Sequence, residues 1–156
     1  MARCDLNLGK TWRGEDVGEI VRRWISEVSK RYRLKMVIAI GSRVEGRAKP
    51  WSDVDLVVVV ENLPKDSRAR WHDFRVDGCL TVEPRVYGEE EFLEALRNLD
   101  LSALEAMHHG LIILDEGFYE RARRVYEEVV KEWELQRTKI GWLSLRRLRE
   151  TQRKRK

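Results

Sequence analysis

The sequence predicts an α/β (α+β) domain built on a mixed β-sheet of about four strands flanked by helices, and three observations lead there. Two short runs, Met36–Ile40 and Asp55–Val60, are almost wholly apolar and rich in β-branched residues, as buried strands are. Elsewhere apolar residues recur at spacings of three and four, the period of an amphipathic helix. Turn residues separate the two kinds of segment, so helix and strand alternate along the chain.

The first helix is expected across about 15–33, where Val17, Ile20, Val21, Trp24, Ile25, Val28 and Tyr32 share a face. Strand Met36–Ile40 stops at Gly41, and a polar stretch from 43 to 52, broken by Gly46 and Pro50, leads to strand Asp55–Val60. Asn62-Leu-Pro-Lys65 ends that strand, and 65–75 reads as a short helix or loop. Leu80–Tyr87 reads as a third strand whose Pro84 places it at an edge or a bulge. Helices follow at 89–98, with Glu89 to Glu91 at the positive N-terminal end, at 102–109 and at about 118–135. Leu111–Leu114 supplies a short fourth strand. The helices are expected on one side of the sheet.

A chain of 156 residues suits one hydrophobic core, so one domain is expected over 1–145, followed by a basic tail at 146–156. The tail holds seven Lys or Arg against one Glu, which leaves the rest slightly acidic although the whole is +4. It is read first as a solvated, disordered terminus, and secondarily as a contact for nucleic acid or an acidic partner. No run approaches the roughly 20 apolar residues of a membrane span, and Arg3, Asp5 and Lys10 stand where a secretion signal would be apolar, so a soluble cytoplasmic protein is expected. Cys4 and Cys79 have no metal-ligand companions; Cys79 reads as a small core residue.

The chemistry is concentrated in Gly41-Ser-Arg-Val-Glu-Gly-Arg-Ala-Lys-Pro-Trp-Ser-Asp-Val-Asp-Leu56. Strand side chains alternate, so Asp53 and Asp55 face the same way at the mouth of an apolar strand. Two neighbouring carboxylates repel unless a cation or a proton sits between them, and a hard divalent ion takes carboxylate and phosphate oxygens together. At the exit of the preceding strand, Gly41 allows close approach of the backbone to a ligand, and Ser42 adds a hydroxyl beside exposed N–H groups. One element would hold phosphate oxygens and the other their metal.

This combination of Gly-Ser, a ten-residue spacer and Asp-x-Asp opening an apolar strand resembles the DNA polymerase β-like nucleotidyltransferases, and in Gly-Ser-Arg-x-x-Gly and Ser-Asp-x-Asp-Leu it is most similar to the minimal, antitoxin-type members. The resemblance spans about residues 36–92. It implies transfer of a nucleoside monophosphate, AMP from ATP being the expectation, to an acceptor hydroxyl with Mg²⁺ or Mn²⁺. It implies a third carboxylate on a neighbouring strand, and Val82-Glu-Pro-Arg-Val-Tyr-Gly-Glu-Glu-Glu-Phe92 aligns Glu83 with it, Asp77 being the runner-up. The catalytic and metal-binding set is then Asp53, Asp55 and Glu83, and the nucleotide-binding set Gly41, Ser42, Arg43 and Ser52. Glu in place of the family's Asp, and Pro84 beside it, are departures. Such enzymes work beside a second polypeptide, so a HEPN-domain partner or a homodimer is implied.

Other readings are weaker. His108 and His109 precede Gly110 at a helix end, where capping or exposure is expected rather than metal binding. Arg43 is weighed equally as a plain surface residue, and Trp51 is expected to pack over the strand. A glycosyltransferase would explain the Asp-x-Asp but not Gly41-Ser42, and needs a longer chain. A non-catalytic antitoxin or scaffold of the same fold, and an antibiotic-type transferase, are the remaining alternatives.

Overall fold

The computed structural model describes residues 6–155; Arg3, Cys4, Asp5 and Lys156 lie outside them. Helix α1 (Val17–Val28) begins at Asp16, whose carboxylate accepts the N–H of Glu19 at 3.1 Å and so satisfies one of the helix's unpaired donors. It leads into β1 (Leu34–Ile40), a single turn of helix α2 (Ser42–Glu45), β2 (Val54–Val60) and α3 (Ser67–Asp73). The chain continues through β3 (Val82–Gly88), α4 (Glu89–Arg97), α5 (Leu101–His109), β4 (Leu111–Asp115) and α6 (Tyr119–Trp133). It ends in β5 (Leu135–Thr138), β6 (Gly141–Ser144) and α7 (Leu145–Lys154).

The main sheet has the order β3-β2-β1-β4, with β1 antiparallel to both β2 and β4 and β2 parallel to β3. Four strands in a mixed sheet with flanking helices agree with the sequence. The helices do not keep to one side, however. Because β1 and β2 are apolar at successive positions, both faces of the sheet must be removed from water. On one face, Val17, Ile20, Val21, Trp24 and Val28 of α1 cover Val37, Ala39, Leu56, Val58 and Val60, with Cys79 in the same core as expected. On the other, Phe92, Leu93 and Leu96 of α4 with Leu104 and Met107 of α5 cover Met36, Ile38, Val57 and Val59. At about 1.5–3 kcal/mol for each large side chain fully buried, these two layers are the main source of stability.

The edges of the sheet also follow from sequence. Pro84, which has no N–H to donate, lies on β3, an outer strand. The opposite edge, β4, leaves Leu111 and Ile112 substantially exposed. The C-terminal end differs from expectation: a β5–β6 hairpin follows α6, and the basic segment read as a disordered tail is helix α7, capped where the Ser144 hydroxyl accepts the N–H of Arg147 at 3.1 Å. It buries no residue, so its solvation was read correctly while its order was not. Among the described residues no helix is long and apolar enough to cross a membrane.

Candidate active site

Strand register aligns three elements at one end of the sheet. Ile40, the last residue of β1, pairs with Asp55 of β2, and Asp55 pairs in turn with Glu83 of β3. Ile40, Asp55 and Glu83 thus stand abreast, with Gly41 just past β1 and exposed Asp53 just ahead of β2. Asp77, the runner-up for the third carboxylate, lies in the loop before β3 and outside this row. The proton affinity of the Asp55 carboxyl is raised above the ordinary aspartate value, first by desolvation and then by the negative charge of Glu83, with a smaller effect from Asp53. A proton or a cation between the two carboxyls would relieve that repulsion. Three oxygen-donor carboxylates with excess negative charge fit a hard divalent ion such as Mg²⁺.

Gly41 has φ = +89°, a region that favours glycine, and a Cβ there would come within 2.8 Å of Asp55 Oδ2. The residue therefore serves both the turn and the carboxylate beside it. Its carbonyl accepts the N–H groups of Val44 and Glu45, each at 3.1 Å, which closes α2 immediately behind it. Ser42 is the first residue of that turn, partly exposed, at the end of β1 beside the acidic row.

Arg43 is not placed to meet a nucleotide, contrary to the sequence reading. It is only 5% exposed, and its guanidinium donates to main-chain carbonyls of Leu8 (3.1 Å), Lys10 (3.3 Å), Lys49 (3.2 Å) and Ser52 (2.9 Å). An arginine carries five N–H donors in a fixed plane, and here they tie the N-terminal segment to the loop that delivers Asp53. Ser52 serves the same loop, its hydroxyl accepting the N–H of Lys49 at 2.9 Å. Trp51 is likewise not packed over β2; it is exposed at the tip of this loop.

A second polar group, not anticipated from sequence, involves α2 and α5. His109 Nε2 lies 3.1 Å from Glu45 Oε1 and 3.2 Å from Glu105 Oε2, and the three ligand atoms fall within 4.8 Å of one another. They could hold a cation, but each carboxylate already has an arginine partner, Arg47 for Glu45 and Arg137 for Glu105. The arginine next to Glu45, then His109, hold the Glu45 carboxyl below its ordinary value. His108 and His109 are exposed at the end of α5, as expected. The i, i+4 spacing of Glu105 and His109 was visible in the sequence, whereas the approach of Glu45 depends on the fold.

Residues 21–108 match the family described as nucleotidyltransferase domain. The chain belongs to that family. The matched segment contains Gly41, Asp53, Asp55 and Glu83 together with β1 and β2, so family and geometry concern the same part of the molecule. No curated protein matches the chain in sequence. Solved structures do match; one, described as the crystal structure of a toxin–antitoxin with AMP-PNP, is 15% identical, with a TM-score of 0.49, and the match covers 74% of this chain and 91% of that chain.

Proposed function

We propose that this nucleotidyltransferase transfers AMP from ATP, with Mg²⁺ or Mn²⁺, to a hydroxyl on an acceptor molecule. The observation that carries the reading is the register of Ile40, Asp55 and Glu83 on three adjacent strands, with Gly41 following Ile40 against the Asp55 carboxylate, Asp53 just ahead of β2, and the Asp55 carboxyl in need of a cation or proton. Asp53, Asp55 and Glu83 would hold the metal, which when bound supplies positive charge to the phosphates and acidifies the attacking hydroxyl. Gly41 and Ser42 hold the β- and γ-phosphates on the β1 side. The acceptor oxygen forms its bond to the α-phosphorus, the bond to the β-phosphate oxygen breaks, pyrophosphate leaves, and the hydroxyl proton passes to the Glu83 carboxylate. The resemblance to antitoxin-type chains suggests a HEPN-domain protein as one carrier of the hydroxyl.

Ligand-induced thermal shifts and transfer of label from α-labelled ATP test the assignment together. Asp53→Asn and Asp55→Asn should lose the MgATP shift while melting cooperatively. Glu83→Gln should keep most of that shift yet lose transfer by about 10²-fold or more, whereas Asp77→Asn should stay near wild type. A double Asp53→Asn/Asp55→Asn variant with an undiminished MgATP shift would refute the metal site.

A further inference from the structure

The two edges of the sheet are built differently. On β3, Glu83 and Arg85 are exposed and Pro84 has no N–H to donate, and such features keep an edge strand from pairing further. On β4, Leu111-Ile-Ile-Leu114 contains no charge and no proline, and Leu111 and Ile112 are 37% and 43% exposed. A slip of register at Ile113 bends this strand but sets nothing charged along it. Among the described residues no strand lies on its outer side.

The exposure falls on both faces of the sheet. Leu111 is in register with Ala39, which belongs to the layer under α1, and Ile112 with Ile38, which belongs to the layer under α4 and α5. Paired residues project to the same side, so the apolar pattern of the interior strands runs on to the last strand on both faces and stops there uncovered. An apolar edge left in this way is a template for pairing with another chain.

The ends of β4 select the partner. His108 and His109 precede the strand and Asp115 and Glu116 close it, all four exposed. In an antiparallel pair related by a two-fold axis, each residue faces one equally far from the axis in the other direction, and backbone N–H and C=O groups bond reciprocally. With the axis at Ile112, Leu111 faces Ile113 of the second copy, His109 faces its Asp115, and His108 faces its Glu116. Asp115 caps α6 through Oδ1, which accepts the N–H groups of Gly117, Phe118 and Tyr119 at 3.0 Å each, and its other oxygen is the one turned to this use. The strand thus matches itself when reversed, whereas parallel addition would set histidine beside histidine and acid beside acid. We infer that β4 pairs with β4 of a second copy, centred on Ile112, and joins the two four-stranded sheets into one. The inference is independent of the transfer reading, since β4 carries none of the residues assigned to it.

Sedimentation equilibrium of the full chain over a range of concentrations tests this directly. The chain should sediment as a reversible dimer. Ile112→Lys sets two like charges face to face at the axis and should weaken dimerisation about 10²-fold while the variant still melts cooperatively. Ile140→Lys, at a residue 99% exposed in the β5–β6 turn, should leave it unchanged. The register has a test of its own. Directly opposed residues of an antiparallel pair have Cα atoms about 4.5–5.5 Å apart, within the reach of a disulfide. In a Cys4→Ser background, Ile112→Cys should therefore give at least about tenfold more covalent dimer on mild oxidation than Ile140→Cys at equal concentration. A monomer at every concentration, a dimer indifferent to Ile112→Lys, or assemblies that keep growing past two copies would each overturn the inference. A monomer made more soluble by Ile112→Lys would assign the edge to a strand of a different polypeptide, and would overturn self-pairing equally.

Discussion

Asp55 carries a charge that the folded protein disfavours, and this has a measurable sign. Its carboxyl binds a proton more tightly folded than unfolded, through burial first and the charge of Glu83 second. The native state is therefore relatively favoured below the ordinary aspartate value of 3.8 and loses that advantage as pH rises through the folded pKa. Asp55→Asn removes the cost, so without metal its melting temperature at pH 7 should equal or exceed that of wild type, the difference shrinking as pH falls toward 3.8. A variant that melts well below wild type at pH 7 would contradict this account of the acidic row. Asp53 and Asp55 stood out in the sequence because a period of two would put both on one face of a strand, although Asp53 lies just ahead of β2. Arg43 was not, because its partners are main-chain carbonyls, which carry no residue identity. Its position beside Gly-Ser suggested a phosphate ligand, while its planar donors reach the carbonyls of Leu8, Lys10, Lys49, Pro50 and Ser52 instead. Lysine cannot reproduce that fan, so Arg43→Lys should cost about 3 kcal/mol in urea denaturation, with several buried carbonyls left unpaired.

Elements with a strong period were readable, and those that depend on distant partners were not. β1 and β2 announced themselves as apolar runs, and Pro84 correctly moved β3 to an edge. The β5–β6 hairpin escaped because its strands are four residues long and half of their side chains are polar; Trp142 gains its place from distant elements, packing against Tyr126 of α6 and donating its indole N–H to Glu105 Oε1 of α5 at 2.9 Å. Helix α7 escaped because clustered like charge suggested solvation. Its order comes from the Ser144 cap and from Arg149 pairing with Glu134, neither of which requires a buried face. The two elements should separate on deletion. Truncation after Ser144 should lower the melting temperature by no more than about 4 °C, since exposed ion pairs contribute about 1 kcal/mol or less. Trp142→Ala should cost about 2 kcal/mol, because packing against α6 and the bond to Glu105 are lost together. If truncation proves the more damaging, α7 supports the core in a way its exposure does not suggest.

At the scale of the whole molecule, fold and site are coupled through the acidic row, since any ion that binds it binds the folded chain alone. Mg²⁺ at a hundredfold excess over its Kd should add about 2.7 kcal/mol of stability, a rise of roughly 5–10 °C for a chain of this size, reversed by chelation and absent from the double Asp53→Asn/Asp55→Asn variant. A scan without this metal dependence would argue that the carboxylates are satisfied by protons alone. The two-faced sheet has a further consequence, in the order of synthesis. The helix that covers one face, α1, is made before the strands, but the cover for Met36, Ile38, Val57 and Val59 comes from α4 and α5, which are made only afterwards. At about 5–20 residues per second, the ribosome leaves that face bare for several seconds after β2 emerges. During that interval the nascent chain displays a sticky, valine-rich surface, and a chaperone that recognises such stretches would find it there and not on the finished protein.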